Sequence, residues 1–263
     1  MERGALKGCE KICAQKNFNK SVGVLRLNFH MAQKFPKSQI GVVEEAFMTT
    51  LRQIELSCPI CGNSFQSQAV VTTNAFGGKR TDFHERAAGT QPLAYLVHMC
   101  SRCGYSGGER DFNEEAEVSL LLKEHVFNEL APCVTLASTG SGKYEAAAKV
   151  AEWQGMEERH IADLLLRAAW CCVDEGDIEA ERYFRRHAAW MFERALARYD
   201  GVVPDERAVL TYLVGELWRR IGDLRQSADW FGRVPDEITD IESQQWIVAA
   251  AEQQQADPQE WFG

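Results

Sequence analysis

The sequence predicts an α+β chain, with a small β module in its first half and a long α-helical domain behind it. Three observations carry that prediction. Two Cys-x-x-Cys pairs, Cys58/Cys61 and Cys100/Cys103, stand 38 residues apart. The stretches beside them alternate with the period of a strand. From residue 143 onward, apolar residues recur at i, i+3, i+4 and i+7, and Gly-Asp turns interrupt them.

The paired cysteines are the most specific signal. A Cys-x2-Cys turn sets two thiolates about 3.5–4 Å apart on one side of a metal, and two such turns complete a tetrahedral sulfur shell. Gly62 and Gly104 follow the second cysteine of each pair, where a knuckle wants a residue tolerant of positive φ. Pro59 stiffens the first turn. The expectation is a structural Zn2+ held by Cys58, Cys61, Cys100 and Cys103, with two disulfides or a redox pair as the alternatives.

Composition bounds the rest. The 263 residues suit one large or two small domains. No apolar run reaches membrane-spanning length, and Met1 to Lys7 lacks the apolar core of a secretory signal. Nine cysteines, an odd number, then point to a reducing compartment, the cytoplasm. The net charge of −9 argues against a generic nucleic-acid surface. Residues 1–40 depart from that balance: eight Lys/Arg against two Glu give +6 and leave −15 for the remainder.

In chain order, residues 1–47 form a basic extension rich in turn formers. It reads as a flexible arm, an ill-packed helix pair, or a stretch outside the native product, with Met31 and Met48 as later starts. Cys9 and Cys13 have helical i, i+4 spacing but nothing nearby completes a site.

Residues 48–112 read as the metal module. Leu51–Leu56 is a lead-in strand, and Ser64–Thr73 follows the first knuckle as a second. Asn74–Thr90 is Gly- and charge-rich, a loop. Its Asp82, His84, Glu85 and Arg86 read first as solvated side chains, and as a catalytic cluster in the competing view. Pro92–Met99 reads as a strand into the second knuckle. The order strand, knuckle, strand, knuckle is zinc-ribbon-like. Four sulfurs leave no open position, so the metal is expected to be structural. His98 is placed as a supporting hydrogen-bonder or an exposed strand residue.

Residues 113–257 read as helical. Phe112–Leu130 carries Val118, Leu121, Leu122, His125, Val126 and Glu129 on one stripe, which makes His125 a core or rim histidine. Ala137 to Tyr144 mimics a phosphate loop, but Tyr144 stands where a hydroxyl must hold Mg2+ and Ala137 replaces the first glycine. The simpler reading is a Ser/Gly turn capping a helix from Lys143 to Trp153. Ile161, Leu164, Leu165, Ala168 and Cys172 share one helix face, and so do Leu210, Leu213, Val214, Leu217, Trp218 and Ile221. Gly176-Asp177 and Gly222-Asp223 end these helices, the glycine taking the left-handed cap and the aspartate opening the next helix. Ile178–Tyr199 supplies a long helix between. Cys171 and Cys172 read as core packing. Gln244–Gln255 reads as a polar terminal helix, and Trp261-Phe262 in the tail, residues 258–263, as a segment that docks back or engages a partner.

The second helix pair resembles a tetratricopeptide repeat. Val214-Gly215, Trp218, Gly222-Asp223, Phe231 and Val234 occupy that motif's small, aromatic and turn positions, whereas Glu181 departs from it in the pair around Gly176. The whole order of motifs resembles the DUF2225 family of bacterial and archaeal proteins, a domain of unknown function. It runs from Cys58-Pro59-x-Cys61-Gly62 through Asp82-Phe83, Pro92, Tyr95 and Cys100-x-x-Cys103-Gly104-Tyr105. It ends on Tyr212-Leu213-x-Gly215-Glu216-Leu217-x-Arg219-Arg220-x-Gly222. The resemblance implies cysteine-bound metal with tetratricopeptide-like helices, and no known reaction.

The function expected is therefore a zinc-stabilised adaptor that binds a protein partner through its helical-repeat surface, without catalysis. Arg182, Arg185, Arg186, Arg219 and Arg220 are expected to line that surface or to be solvated. The enzyme alternative uses Asp82, His84 and Glu85, with His125. A third reading is nucleic-acid binding through the ribbon and the basic arm.

Overall fold

The computed structural model describes residues 48–112, 118–135 and 137–262. The basic extension, with Cys9, Cys13 and Met31, lies outside the described residues.

The β module begins as a hairpin. Strands β1 (Thr50–Ser57) and β2 (Ser64–Thr72) pair antiparallel, with Leu56 opposite Phe65. Ile54, Leu56 and Ala69 turn inward, as period-two alternation requires. Two short strands, β3 (His98–Met99) and β4 (Ser106–Gly107), bracket the second knuckle.

The expected strand over Pro92–Met99 is a correction. Leu93–Tyr95 is a 3-10 turn, and only the two residues of β3 are extended. The carbonyls that a strand would pair are taken by side chains: Lys143 Nζ donates to Ala94 O at 3.1 Å and the Tyr144 hydroxyl to Leu93 O at 3.0 Å. Pro92 contributes no N–H to a ladder.

The connector helix is shorter than expected. Helix α1 (Leu120–His125) starts where the Ser119 hydroxyl accepts from Leu122 N, and a π turn (Val126–Leu130) ends it. Leu122, Val126 and Leu130 are buried while Leu121 stays exposed. Residues 113–117 lie outside the described residues.

Helices α2 (Gly140–Trp153), α3 (Glu158–Glu175), α4 (Ile178–Ala197), α5 (Pro204–Ile221), α6 (Leu224–Arg233) and α7 (Ile241–Ala256) follow. Thr139 opens α2, its hydroxyl accepting from Gly142 N, so the phosphate-loop mimic is a helix cap. Gly176 (φ 71°) and Gly222 (φ 97°) take the left-handed conformation, and Asp177 and Asp223 cap α4 and α6 as the spacing predicts. Cys171 and Cys172 are buried. Gly215 on α5 faces the Phe231 ring of α6 so closely that a Cβ there would lie 2.7 Å from it.

One apolar core encloses the cysteines and continues into the helices. Ile54, Leu56, Tyr105 and Phe112 from the module meet Leu122, Val126, Leu130, Ala146 and Val150. The terminal helix is less polar in its setting than its glutamines suggest. Gln244 and Gln254 are buried, their amides donating to Asp205 O at 2.7 Å and Gln259 O at 3.0 Å. The tail docks back: Phe262 N donates to Lys79 O, and the Phe262 ring stacks on Phe83.

Candidate metal centre

The two knuckles have the same backbone geometry. Gly62 N donates to Cys58 O and Gly104 N to Cys100 O, both at 2.9 Å. Cys58 N donates to Asn63 O at 3.0 Å, and Cys100 N to Tyr105 O at 2.9 Å. Both turns close through a left-handed glycine, with φ of 69° at Gly62 and 76° at Gly104. At Gly104 a side chain would also meet the Leu130 backbone.

These turns bring the four predicted residues together. The Sγ atoms of Cys58, Cys61, Cys100 and Cys103 lie within 4.8 Å of one another. Cys58 to Cys103 and Cys61 to Cys100 are each 3.6 Å apart. A tetrahedral S4 shell with bonds of about 2.3 Å has edges of about 3.8 Å, so this donor set can coordinate a metal ion. Cys58, Cys100 and Cys103 are buried and Cys61 half-buried, and all four are free of disulfides. Asn63 Nδ2 approaches Cys100 Sγ at 3.8 Å. Thiols this close resist full ionisation on their own. The Cys100 sulfur, with burial, pushes Cys58 up to about 12, and Cys100, Cys58 and burial raise Cys103. Cys100 is held low because it accepts from both. A divalent cation removes that conflict by supplying positive charge to the shared sulfurs.

His98 is enclosed. Its Nδ1 lies 2.9 Å from Ser67 Oγ, and its ring meets Phe112 edge-on. It therefore braces the hairpin, not the sulfurs. His125 is a rim residue, stacked on Trp153 and 3.1 Å from Glu129.

The loop between the knuckles is the largest correction. Its centre is not solvated: Thr81, Asp82 and His84 are 1%, 0% and 1% exposed. Residues 79–87 form a strap seated among α3, α4, α5 and the tail. Asp82 Oδ2 accepts from Arg185 Nη1 at 2.7 Å and Trp170 Nε1 at 3.0 Å. The Thr81 hydroxyl donates to Glu216 Oε1 at 2.7 Å and accepts from Arg220 Nη2 at 2.8 Å. Phe83 enters an aromatic nest of Tyr212, Trp246 and Phe262. Arg86 pairs with Asp174, and Glu85 faces solvent beside Lys79.

Burial works to raise the Asp82 carboxyl, but Arg185, Arg220 and Arg80 overcome it and hold it well below the usual carboxylate range. Burial pushes His84 down to about 4. The three loop residues of the enzyme reading thus do not converge on an open site. Asp82 is clasped, His84 is stacked on Trp170, and Glu85 points away.

Arg185 and Arg220 are likewise not surface residues: their side chains are 0% and 5% exposed. Arg182 and Arg186 are exposed as expected. The buried receptor for the strap, Trp170, Arg185, Glu216 and Arg220, was not anticipated as a unit. A signal was there. Arg185 precedes Ala188, Ala189, Phe192 and Leu196 by three, four, seven and eleven residues, which places it on the apolar stripe of α4.

No helix among the described residues is long and apolar enough to cross a membrane. No curated protein and no solved structure matches the chain. A family model described as an uncharacterized protein conserved in bacteria matches residues 51–257, which takes in both knuckles, the strap and the helices that receive it. The chain belongs to the DUF2225 family.

Proposed function

We propose that this chain is a zinc-stabilised adaptor of a reducing, cytoplasmic compartment, binding a protein partner through its helical-repeat surface without catalysis. Cys58, Cys61, Cys100 and Cys103 are its ligands, and the ion supplies a structural cross-link with no open position for a substrate. The tetratricopeptide-like reading of residues 113–257 draws support from the Gly-Asp turns and from the close approach of Gly215 to Phe231. Stacked helix pairs of that kind present extended surfaces suited to a partner's peptide or helix.

The observation that carries the reading is the strap. It lies in the loop that the two cysteine pairs close, between Cys61 and Cys100, and its centre is held on the helices through Thr81, Asp82 and Phe83. A metal bound by the four sulfurs then serves to keep that loop closed on the helical surface. Affinity capture from native lysate tests this. The expected result is a protein client that survives wash salt and is lost when the metal is stripped. Salt-sensitive capture of nucleic acid that persists after deletion of residues 1–47 contradicts it.

A further inference from the structure

The strap has the chemistry of a bound peptide. Adjacent side chains go to separate sites, the Asp82 carboxylate to Arg185 and Trp170 and the Phe83 ring to Tyr212, Trp246 and Phe262. Phe83 adopts φ of 66°, a left-handed conformation that a bulky residue rarely takes. That backbone turn is what splays the two anchors apart.

The fit is incomplete. Among the described residues, the buried side-chain polar atoms without a hydrogen-bond partner all belong to the strap or to the α4 and α5 helices. They are Arg80 Nε, Asp82 Oδ1, both His84 nitrogens, Arg185 Nη2, Thr211 Oγ1 and the Tyr212 hydroxyl. Buried polar groups are otherwise nearly always paired. Two of the unpaired atoms, Arg80 Nε and Asp82 Oδ1, lie 3.8 Å apart as a long ion pair within the strap. On the receiving helices the unpaired groups are Arg185 Nη2, a pure donor, and the Thr211 and Tyr212 hydroxyls, which can donate or accept. A carboxylate can accept from all three. Residues 88–90, which follow the strap, are exposed.

We infer that the groove between α3, α4, α5 and the tail recognises an acidic segment of a partner protein in which a carboxylate directly precedes an aromatic residue, and that the strap is its resident occupant in cis. This rests on the adaptor reading and names the surface and partner chemistry for it. A segment with a second carboxylate beside the Asp-Phe pair supplies the acceptor that the strap withholds from Arg185 Nη2 and the Tyr212 hydroxyl. Glu260, already on Arg219 Nη2 and Arg220 Nη1 at 3.1 and 2.6 Å, demonstrates that the rim of the groove takes carboxylates.

The test uses the full metal-loaded chain with protease sites inserted after Phe76 and after Gly89, both cut once folded so that the strap is released and washed away. The sulfur cluster and the shared core keep the two pieces together. Three labelled peptides serve as probes: residues 79–88, the same with Asp82→Asn, and the same with His84→Glu. The cut chain is expected to bind the first peptide. The uncut chain should bind it roughly a hundredfold more weakly, because a tethered competitor acts at about millimolar effective concentration. The Asp82→Asn peptide should lose about tenfold, and the His84→Glu peptide should bind several-fold tighter, the scale of a charge-assisted hydrogen bond. Equal binding of all three peptides, or none, by a cut chain that keeps its metal and helicity overturns the inference.

Should cutting unfold the chain, hydrogen exchange of the intact protein decides. Millimolar His84→Glu peptide should accelerate exchange at Arg80, Phe83 and Arg86, and unchanged rates overturn the inference. A cut chain that ignores every peptide but still captures its client loses only the groove assignment. One that captures neither loses the adaptor reading as well.

Discussion

Asp82 and Arg185 meet at 2.7 Å with neither side chain exposed to solvent, across 103 residues of chain. A carboxylate between the two cysteine knuckles is thus neutralised by a guanidinium on α4, the third long helix of the helical half. A buried pair of this kind is weak evidence for stability in itself, since removing both charges from water offsets much of their attraction. Its value lies in specifying one docked geometry for the strap.

Breaking the pair from one side should therefore be costly. Arg185→Met or Asp82→Leu should each destabilise by about 1.5–3 kcal/mol, the scale of a lost charged hydrogen bond, because Glu181 still accepts from Arg185 Nε at 2.9 Å and Trp170 still donates to Asp82. The double variant should lose well under the sum, with a coupling of more than about 1 kcal/mol in a denaturant-based double-mutant cycle. Simple additivity would contradict the contact.

His84 gives a pH prediction with a definite sign. Its folded value, about 4, lies below the ordinary 6.5, so the unfolded chain binds the proton more readily. The stability linked to this residue is fully present above pH 6.5 and is lost as pH falls toward 4, with a total on the order of 3 kcal/mol. Asp82 adds a loss of the same sign only below the ordinary carboxylate range. In His84→Phe the stacking surface on Trp170 remains and the two unpaired ring nitrogens are gone. That variant should be within about 1 kcal/mol of the parent at pH 7 and should have the shallower acid limb. Parallel acid limbs for the two proteins would count against the buried neutral imidazole.

Gly215→Ala tests the close helix pair. The new methyl would lie 2.7 Å from Phe231 Cδ1 and 2.9 Å from Cε1, and Phe231 is enclosed at 2% exposure. Overpacking of this kind costs about 1–3 kcal/mol, more than the roughly 1 kcal/mol gained from replacing glycine in a helix. A rise in thermal midpoint would show that α5 and α6 are free to separate.

Stripping the metal should loosen the strap before the helices. A cross-link joining Cys61 to Cys100 closes a loop of about 40 residues, worth about 4 kcal/mol of chain entropy. Hydrogen exchange is the measurement. The amides of Arg80 and Arg86, which donate to His84 O and Gly78 O at 2.9 and 2.8 Å, should lose protection on that scale. The amides in the middle of α5 should lose less.

Local signals were legible in the sequence wherever one short motif determines one geometry. Cys-x2-Cys-Gly dictated both knuckles, alternation dictated β1 and β2, and the Gly-Asp pairs marked where α3 and α5 stop. The strap was not legible, because its burial depends on partners far along the chain. Asp82, His84 and Arg86 look like a solvated run until Trp170, Asp174 and Arg185 are placed around them. Pro92–Met99 misled for a related reason: its carbonyls are claimed by Lys143 and Tyr144 from α2, and no local pattern announces that. Arg185 was hidden by its charge, although its phase on α4 is that of a core residue.

Elemental analysis joined to X-ray absorption on the purified full-length chain addresses the sulfur cluster most directly. The account predicts one zinc per chain with four sulfur neighbours at about 2.3 Å. A metal-free protein in which all four thiols titrate, or a metal with nitrogen or oxygen in its shell, would contradict it.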